Sequence, residues 1–360
     1  MPGLATRRAA WELATGILAV LLFSVGIFVR HTIAARAPAD PSSGPQPEAD
    51  AAGNPIATTW TVAAPDDNAS LRSALEAAGI SLTEGINVFA AVVVAGSDGY
   101  LSRQYEAGGG ARADDFWPAS SIKVLAAVGA LEFLAGLGFT GSAAVAFDDG
   151  DAWTVRDLYD AAIIESSNEA YDRLVQIAGV DWLNTEFLTS ENGLAATVIQ
   201  KSYIDLGILS SPGMTISEGD RSLDLPARLP GGDLGVPEEG NRSDLFELTE
   251  SVARLGFGDH LPEDRRFGID PSDRAALAEA LLQAEGFLRP GAAAVLGDDV
   301  LVYEKPGHVE GAHCVSVGYI RTPGHPESFM LGVSTPDDGP ECSTLAAIAS
   351  AALGFLTTRL

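Results

Sequence analysis

The sequence predicts an α+β fold in which an antiparallel sheet, flanked by terminal helices, carries an inserted all-helical domain. Three observations support this class. Two strand-like segments occur early, helix-like segments then dominate to about residue 290, and three strand-like segments with a closing helix end the chain. Strands separated by a long helical stretch are typical of a sheet assembled from both parts of one domain.

The domain opens with a helix and two strands. The helix begins near Asp67 or Asn68, either of which can cap it, and it ends at Gly79. The valine-rich segment 88–95 is typical of a buried strand. A turn then leads to a second strand near 101–105.

Helices dominate the middle of the domain. The segment from 120 to about 136 is apolar nearly all round, which predicts a helix buried inside the domain. Thr154 and Asp157 resemble a capping box that starts the next helix. Residues 207–242 are rich in glycine, proline and acids and predict a long irregular loop. Further helices are expected over 169–177, 182–188, 244–255 and 271–284.

The last part of the chain predicts an antiparallel meander, because short turns join its strands. The three strands are expected over 300–305, 313–320 and 328–335. A closing helix is expected over 342–356. Cys314 and Cys342 are the only cysteines, and they are either a disulfide that joins a late strand to this helix or two buried thiols.

Composition restricts the partners. The formal net charge is −27, so the surface would repel nucleic acid and anionic lipid. The 360 residues include 19 arginines and only three lysines, namely Lys123, Lys201 and Lys305. A lysine retained in such a chain can serve where arginine cannot, because lysine can lose its proton near neutral pH.

The N-terminus predicts a membrane segment. Arg7 and Arg8 precede an uncharged run over 13–29, which is long enough to cross most of a bilayer. Ala35-Arg36-Ala37 resembles a signal-peptide cleavage site, but Pro38 would hinder cleavage. A single-pass anchor is therefore favoured over a cleaved signal peptide, and both place the domain outside the cytoplasm.

Three regions follow from these signals. Residues 1–36 are the anchor or signal segment, and 37–64 have the Pro-, Ala- and Gly-rich composition of a flexible linker. Residues 65–358 form the folded domain, with the helical part over about 111–290.

Ser120 and Lys123 are the first candidates for chemistry. They stand three residues apart at the start of one helix, so both side chains face the same way. A serine hydroxyl needs a base before it can attack a carbonyl carbon. A desolvated lysine near other cations can have a pKa low enough to be that base.

Two further motifs extend this pair. Residues 118–125, around Ser120 and Lys123, resemble the nucleophile segment of class A β-lactamases and penicillin-binding proteins. Ser166-Ser167-Asn168 resembles the second motif of that superfamily, Ser-Asp-Asn, and lies between two helices. Lys305-Pro306-Gly307 resembles the third motif, Lys-Thr-Gly, on a late strand. The motifs occur in the family's order, and the resemblance covers roughly residues 65–358.

The resemblance implies a role for each matching residue. Ser120 would be the nucleophile, Lys123 its general base, and Ser166 the group that passes a proton to the leaving group. Asn168 would bind the substrate amide, and Lys305 would supply positive charge for Ser166 and for a substrate carboxylate.

The third motif would also complete the oxyanion hole. Gly307 belongs to the substrate-binding strand, and the backbone N–H groups of Ser120 and His308 would bind the oxyanion.

Two departures from the family pattern qualify the activity. Pro306 stands where the family has a threonine or serine hydroxyl that helps to bind a carboxylate. Tyr203 stands where class A β-lactamases carry the deacylating glutamate, and tyrosine is a far poorer base at neutral pH. The alternative is that Asp205, two positions away, replaces that glutamate.

The sequence therefore predicts an extracytoplasmic serine hydrolase or transferase related to β-lactamases and D-alanyl-D-alanine peptidases, with weak β-lactamase activity at most. Its substrate would be a β-lactam or a cell-wall stem peptide, and no cofactor or metal is expected. His313 and Cys314 are adjacent on a strand and diverge, which argues against a metal site. The alternative function is a non-catalytic module that binds cell-wall peptide or a partner protein.

Overall fold

A six-stranded sheet with helices on both faces organises the chain. The computed structural model describes residues 60–62, 67–96, 99–112, 116–238 and 240–360. The predicted anchor (1–36) and nearly all of the predicted linker (37–64) lie outside these residues. The strand order is β1-β3-β2-β10-β9-β8, with β1 parallel to β3 and all other neighbours antiparallel.

The elements of the described residues are as follows. The strands are β1 (Trp60–Val62), β2 (Asn87–Gly96), β3 (Gly99–Gly108), β4 (Ala144–Phe147), β5 (Ala152–Thr154), β6 (Met214–Glu218), β7 (Arg221–Leu225), β8 (Leu301–Val309), β9 (His313–Arg321) and β10 (Glu327–Pro336). The helices are α1 (Asn68–Ala77), α2 (Lys123–Gly136), α3 (Val155–Ile163), α4 (Asn168–Ala178), α5 (Val180–Trp182), α6 (Leu245–Phe257), α7 (Pro271–Gln283), α8 (Leu288–Leu296) and α9 (Ser343–Thr357). Shorter turns of helix are Ala119–Ile122, Leu183–Phe187, Gly258–His260 and Glu263–Arg265.

Side chains on the two faces of the sheet belong to two separate cores. On β2, Phe89 and Val93 pack with the helical region, whereas Val88 and Val92 pack with α1, α8 and α9. This alternation explains why the strand is valine-rich throughout, since both of its faces are buried. The predicted α+β class, with an antiparallel sheet and flanking terminal helices, is confirmed.

The inserted region is not wholly helical. It contains a second antiparallel sheet with the order β5-β4-β6-β7. The hairpin β6–β7 lies within 207–242, so the prediction of an irregular loop there was wrong in part. Its strands are five residues each, β6 lies between Gly213 and Gly219, and β6 is held by pairing with the distant β4. Short strands stabilised by distant partners leave little local signal in a sequence.

The buried helix predicted from 120 onward is present as the turn Ala119–Ile122 followed by α2. Within the described part of the chain, this 18-residue segment alone is long and apolar enough to cross a membrane. Most of it is buried inside the domain, and nearly every residue from Ile122 to Leu131 is inaccessible to solvent. Its apolar character is therefore that of a core helix.

A disulfide joins Cys314 of β9 to Cys342, directly before α9. The first of the two predicted alternatives for these cysteines is the observed one. The bond fastens the closing helix to the sheet, and the two residues are 28 apart in sequence. A cross-link that closes a loop of this length is worth about 3 kcal/mol.

We expect the double substitution Cys314→Ala/Cys342→Ala to lower the free energy of unfolding by about 3 kcal/mol, because the unfolded chain loses its cross-link. Urea denaturation of the variant and of the oxidised wild type measures the difference. Wild type treated with a reductant is the matched control and should approach the variant. Equal midpoints for all three samples would contradict the stabilising role.

Candidate active site

Ser120 lies in the helical turn Ala119–Ile122, at the point where the chain enters α2. Its side chain is partly exposed, whereas its neighbours Ala119 and Ser121 are buried. The Ser121 hydroxyl is turned inward and donates to the carbonyl of Pro118 at 2.5 Å. Of the two adjacent serines, Ser120 is therefore the one that solvent can reach.

Lys123 is fully buried at the start of α2 and is held by the second predicted motif. Its Nζ donates to Asn168 Oδ1 at 2.7 Å and to the backbone carbonyl of Ser166. The Ser166 hydroxyl lies 3.4 Å from the same nitrogen. The first and second motifs thus meet, although more than forty residues separate them.

Lys305 reaches the same hydroxyl from the sheet. It is fully buried on β8, and its Nζ donates to Ser166 Oγ at 2.9 Å. One serine hydroxyl is thus placed between two buried amines, one from α2 and one from β8. The predicted residues Lys123, Ser166, Asn168 and Lys305 form a single cluster.

Burial depresses the pKa of both amines. Desolvation lowers the pKa of Lys123 to about 7, against a small opposing effect from Asp172. Desolvation also lowers the pKa of Lys305 to about 7, and the nearby positive charge of Lys123 lowers it further. Desolvation is the largest cause in both cases, because a buried ammonium loses the water that stabilises its charge. A neutral amine is therefore available near neutral pH.

The second motif is shaped by its backbone. Ser166 has a φ of 58°, in the left-handed region, which turns the chain sharply between α3 and α4. Ser167, where the family has aspartate, caps α4 by accepting a hydrogen bond from the N–H of Ala170 at 3.2 Å. Serine is among the best N-capping residues. The serine at position 167, in place of the family's aspartate, therefore still caps the helix.

The third motif runs along the edge of the sheet. β8 is one of the two edge strands, and a Cβ placed on Gly307 would lie 2.8 Å from the backbone nitrogen of Ser120. Only glycine permits this close approach. The predicted residue Gly307 thus borders Ser120 directly.

The ring of His308 is directed away from Lys305 and the other residues of the cluster. On β8 His308 pairs with Cys314 of β9, on the opposite face from Lys305. Its Nε2 lies 3.0 Å from Asp337 Oδ1. Cys314 and Cys342 are close to the ring, but both sulfurs are bonded to each other and do not offer thiolate ligands to a metal.

Tyr203 contacts the cluster through its backbone, its hydroxyl and its ring. Its backbone carbonyl accepts from Asn168 Nδ2 at 3.0 Å, and its hydroxyl donates to the carbonyl of Ala119 at 2.8 Å. Its ring centre is 5.9 Å from Lys123 Nζ. Asp205, by contrast, is exposed and accepts from the N–H of Gly207 in its own loop, which argues against its acting as a base.

Asp172 was not predicted from the sequence. It is buried on α4, and its carboxylate accepts from the hydroxyl of Ser202 at 2.5 Å and from the N–H of Tyr203 at 2.9 Å. Its spacing in the sequence could have identified it, because Asp172 follows Asn168 by four residues and therefore lies on the same helix face. Asn168 and Asp172 together fix the loop that carries Tyr203.

Comparison with known proteins assigns a family to this chain. The sequence model described as "Beta-lactamase enzyme family" matches residues 138–356, which is more than half of the chain. The match includes Ser166, Asn168 and Lys305 and begins after Ser120 and Lys123. No match to a curated protein was found.

Solved structures with a similar fold include PBP-A, with 16% identity, a TM-score of 0.56 and coverage of 84% of this chain and 100% of that chain. A beta lactamase from Burkholderia vietnamiensis has 18% identity and a TM-score of 0.54, covering 82% and 98%. The class A beta-lactamase from Mycobacterium abscessus has 19% identity and a TM-score of 0.52, covering 81% and 98%. The likeness in fold extends over nearly the whole of each of these proteins, and the sequence match identifies the chain as a member of the β-lactamase enzyme family.

Proposed function

We propose that this protein is an extracytoplasmic serine hydrolase or transferase that forms an acyl-enzyme on Ser120. The observation that carries the proposal is the convergence of two buried lysines on one hydroxyl, Ser166 Oγ, close to the helical turn that contains Ser120. Burying two amines is costly unless their contacts compensate for lost solvation. If the site served stability alone, apolar side chains in place of the two lysines would stabilise the fold at least as well.

The proposed chemistry begins with proton transfer. Neutral Lys123 takes the proton of Ser120 Oγ as that oxygen bonds to the substrate carbonyl carbon. The bond to the leaving group then breaks, and Ser166 passes a proton from Lys123 to that group. Lys305, 2.9 Å from Ser166 Oγ, orients the hydroxyl and supplies positive charge.

The proposed oxyanion hole consists of the backbone N–H groups of Ser120 and His308. Proline fits an edge strand where its nitrogen faces away from the neighbouring strand, and Pro306 lies on such a strand. N–H directions repeat every second residue, so the N–H of His308 faces the same side as the nitrogen of Pro306. Ser120 lies close to this part of β8, since a Cβ on Gly307 would come within 2.8 Å of the Ser120 nitrogen.

Removal of the acyl group is proposed to be slow for β-lactams. Tyr203 occupies the position of a deacylating base, and burial raises the pKa of its hydroxyl, so it does not accept a proton at neutral pH. A variant of the structurally similar PBP-A was solved as an acyl-enzyme complex with penicillin G. These points favour peptidase, transpeptidase or esterase activity over efficient β-lactam hydrolysis.

An extracytoplasmic location is supported by two features. The apolar run over 13–29 follows two arginines, and the disulfide between Cys314 and Cys342 is of a kind that persists in oxidising compartments. The proposed partners are a β-lactam or a stem peptide as substrate, and a membrane through the single-pass N-terminal segment.

One observation favours a second candidate function. Pro306 removes a hydroxyl that the family uses to bind a substrate carboxylate. A non-catalytic module that binds cell-wall peptide or a partner protein would not need that hydroxyl. Such a module would bind peptidoglycan measurably and would not react with acylating probes.

Intact-mass spectrometry of the wild type with a fluorescent penicillin and a fluorophosphonate tests the proposal. We expect one covalent adduct per chain, on the peptide that contains Ser120, and we expect the penicillin adduct to persist after free probe is removed. Heat-denatured protein is the control and should stay unlabelled. The absence of any adduct, or an adduct on another peptide, would overturn the proposal.

A further inference from the structure

Ala119, the residue directly before Ser120, has an unusual backbone. Its φ is 45°, in the left-handed region that non-glycine residues seldom occupy. This conformation is unfavourable for a residue with a Cβ and persists only where surrounding contacts hold it. Ala119 is buried at the start of the helical turn Ala119–Ile122, and its carbonyl oxygen accepts a hydrogen bond from the Tyr203 hydroxyl at 2.8 Å.

Tyr203 is itself held firmly. Its ring stacks on that of Tyr171, with the centres 4.5 Å apart and the planes inclined by 25°. Asp172 accepts from its backbone N–H, and Asn168 donates to its backbone carbonyl. The raised pKa keeps its hydroxyl protonated, so that the hydroxyl remains a donor. The group that binds Ala119 is therefore rigid.

One peptide unit links this contact to the proposed chemistry. The carbonyl of Ala119 and the N–H of Ser120 belong to the same planar trans peptide, so they point in opposite directions. Holding the carbonyl toward Tyr203 aims the N–H of Ser120 toward the other side. The same nitrogen is close to β8, since a Cβ on Gly307 would come within 2.8 Å of it.

We propose that Tyr203 is a positioning residue that aims the Ser120 N–H into the oxyanion hole by holding the Ala119–Ser120 peptide. This inference rests on the function proposed for Ser120. An ionised glutamate at the same position can only accept hydrogen bonds, so it could not hold the Ala119 carbonyl. A deacylating carboxylate and this hydrogen bond therefore exclude each other at position 203.

The test is Tyr203→Phe, which removes the hydroxyl and keeps the stacked ring. We expect the first-order acylation rate constant with a fluorescent penicillin to fall about tenfold. That loss is smaller than the 10²–10³ seen when an oxyanion donor is removed outright, since the N–H remains but loses its alignment. The dissociation constant of the non-covalent complex should stay within about twofold, because only the transition state carries the oxyanion.

Tyr171→Phe is the matched control, because Tyr171 belongs to the same stack but its hydroxyl bonds to Asn241 and to the carbonyl of Lys201. We expect it to acylate within about twofold of wild type. Equal acylation rate constants for Tyr203→Phe and wild type, or a loss confined to the dissociation constant, would overturn the positioning role while leaving the proposed function intact. A wild type that forms no adduct would overturn both.

Discussion

Substitution of Ser120 by alanine is expected to abolish covalent labelling by both penicillin and fluorophosphonate probes. The hydroxyl is the proposed attacking atom, and a methyl group cannot form the ester. The fold should be unaffected, because the Ser120 side chain is partly exposed and no hydrogen bond to its hydroxyl is seen among the described residues. Gel fluorescence and intact mass, measured over hours, check the result.

The adjacent serine provides the control for this experiment. Ser121→Ala removes a hydroxyl that is buried and bonded to Pro118, so it should cost stability and leave labelling in place. Labelling that survives Ser120→Ala but disappears in Ser121→Ala would show that Ser121, and not Ser120, is the nucleophile. Labelling that survives both would place it elsewhere in the chain.

Substitution of Lys123 by alanine is expected to reduce the acylation rate constant by a factor of about 10²–10⁴, the usual contribution of a general base. The pH profile of the wild type supplies a second readout. Burial lowers the pKa of Lys123 to about 7, and only the neutral amine can accept the Ser120 proton. The wild-type rate should therefore rise as pH increases through about 7, and Lys123→Ala should lose this rise.

Lys201→Ala is the control, because Lys201 is the third lysine of the chain and no bond between its side chain and the site is seen in the described residues. It should retain the rate and the pH profile. Lys305 also has a pKa near 7, so a profile that is unchanged in Lys123→Ala would transfer the role of base to Lys305.

Local signals predicted most of the fold that positions the site. The capping residues Thr154, Asp244 and Asp270 each accept a backbone hydrogen bond at the start of a helix, and these helices begin within a residue or two of their predicted positions. The hydrophobic pattern of the late strands also predicted the meander of β8, β9 and β10. In all these cases the residues that determine the element lie within or beside it.

Elements that depend on distant partners were not predictable in the same way. β4 and β6 are four and five residues long and acquire their structure by pairing across about seventy residues of sequence. Likewise, the sequence around Ala119 does not indicate its left-handed backbone, because the Tyr203 hydroxyl that contacts it comes from a separate loop. Motif order indicated which side chains meet, but only three-dimensional contacts revealed what aligns them.

Pro306 has a consequence beyond substrate recognition. It lies on β8, at an open edge of the six-stranded sheet, where unpaired N–H and C=O groups could template pairing with another chain. Proline contributes no N–H to such pairing, and Pro306 lies near the middle of the strand. Pro306 therefore disfavours the pairing of a further strand with this edge of the sheet, beside the cluster of Lys123, Ser166 and Lys305.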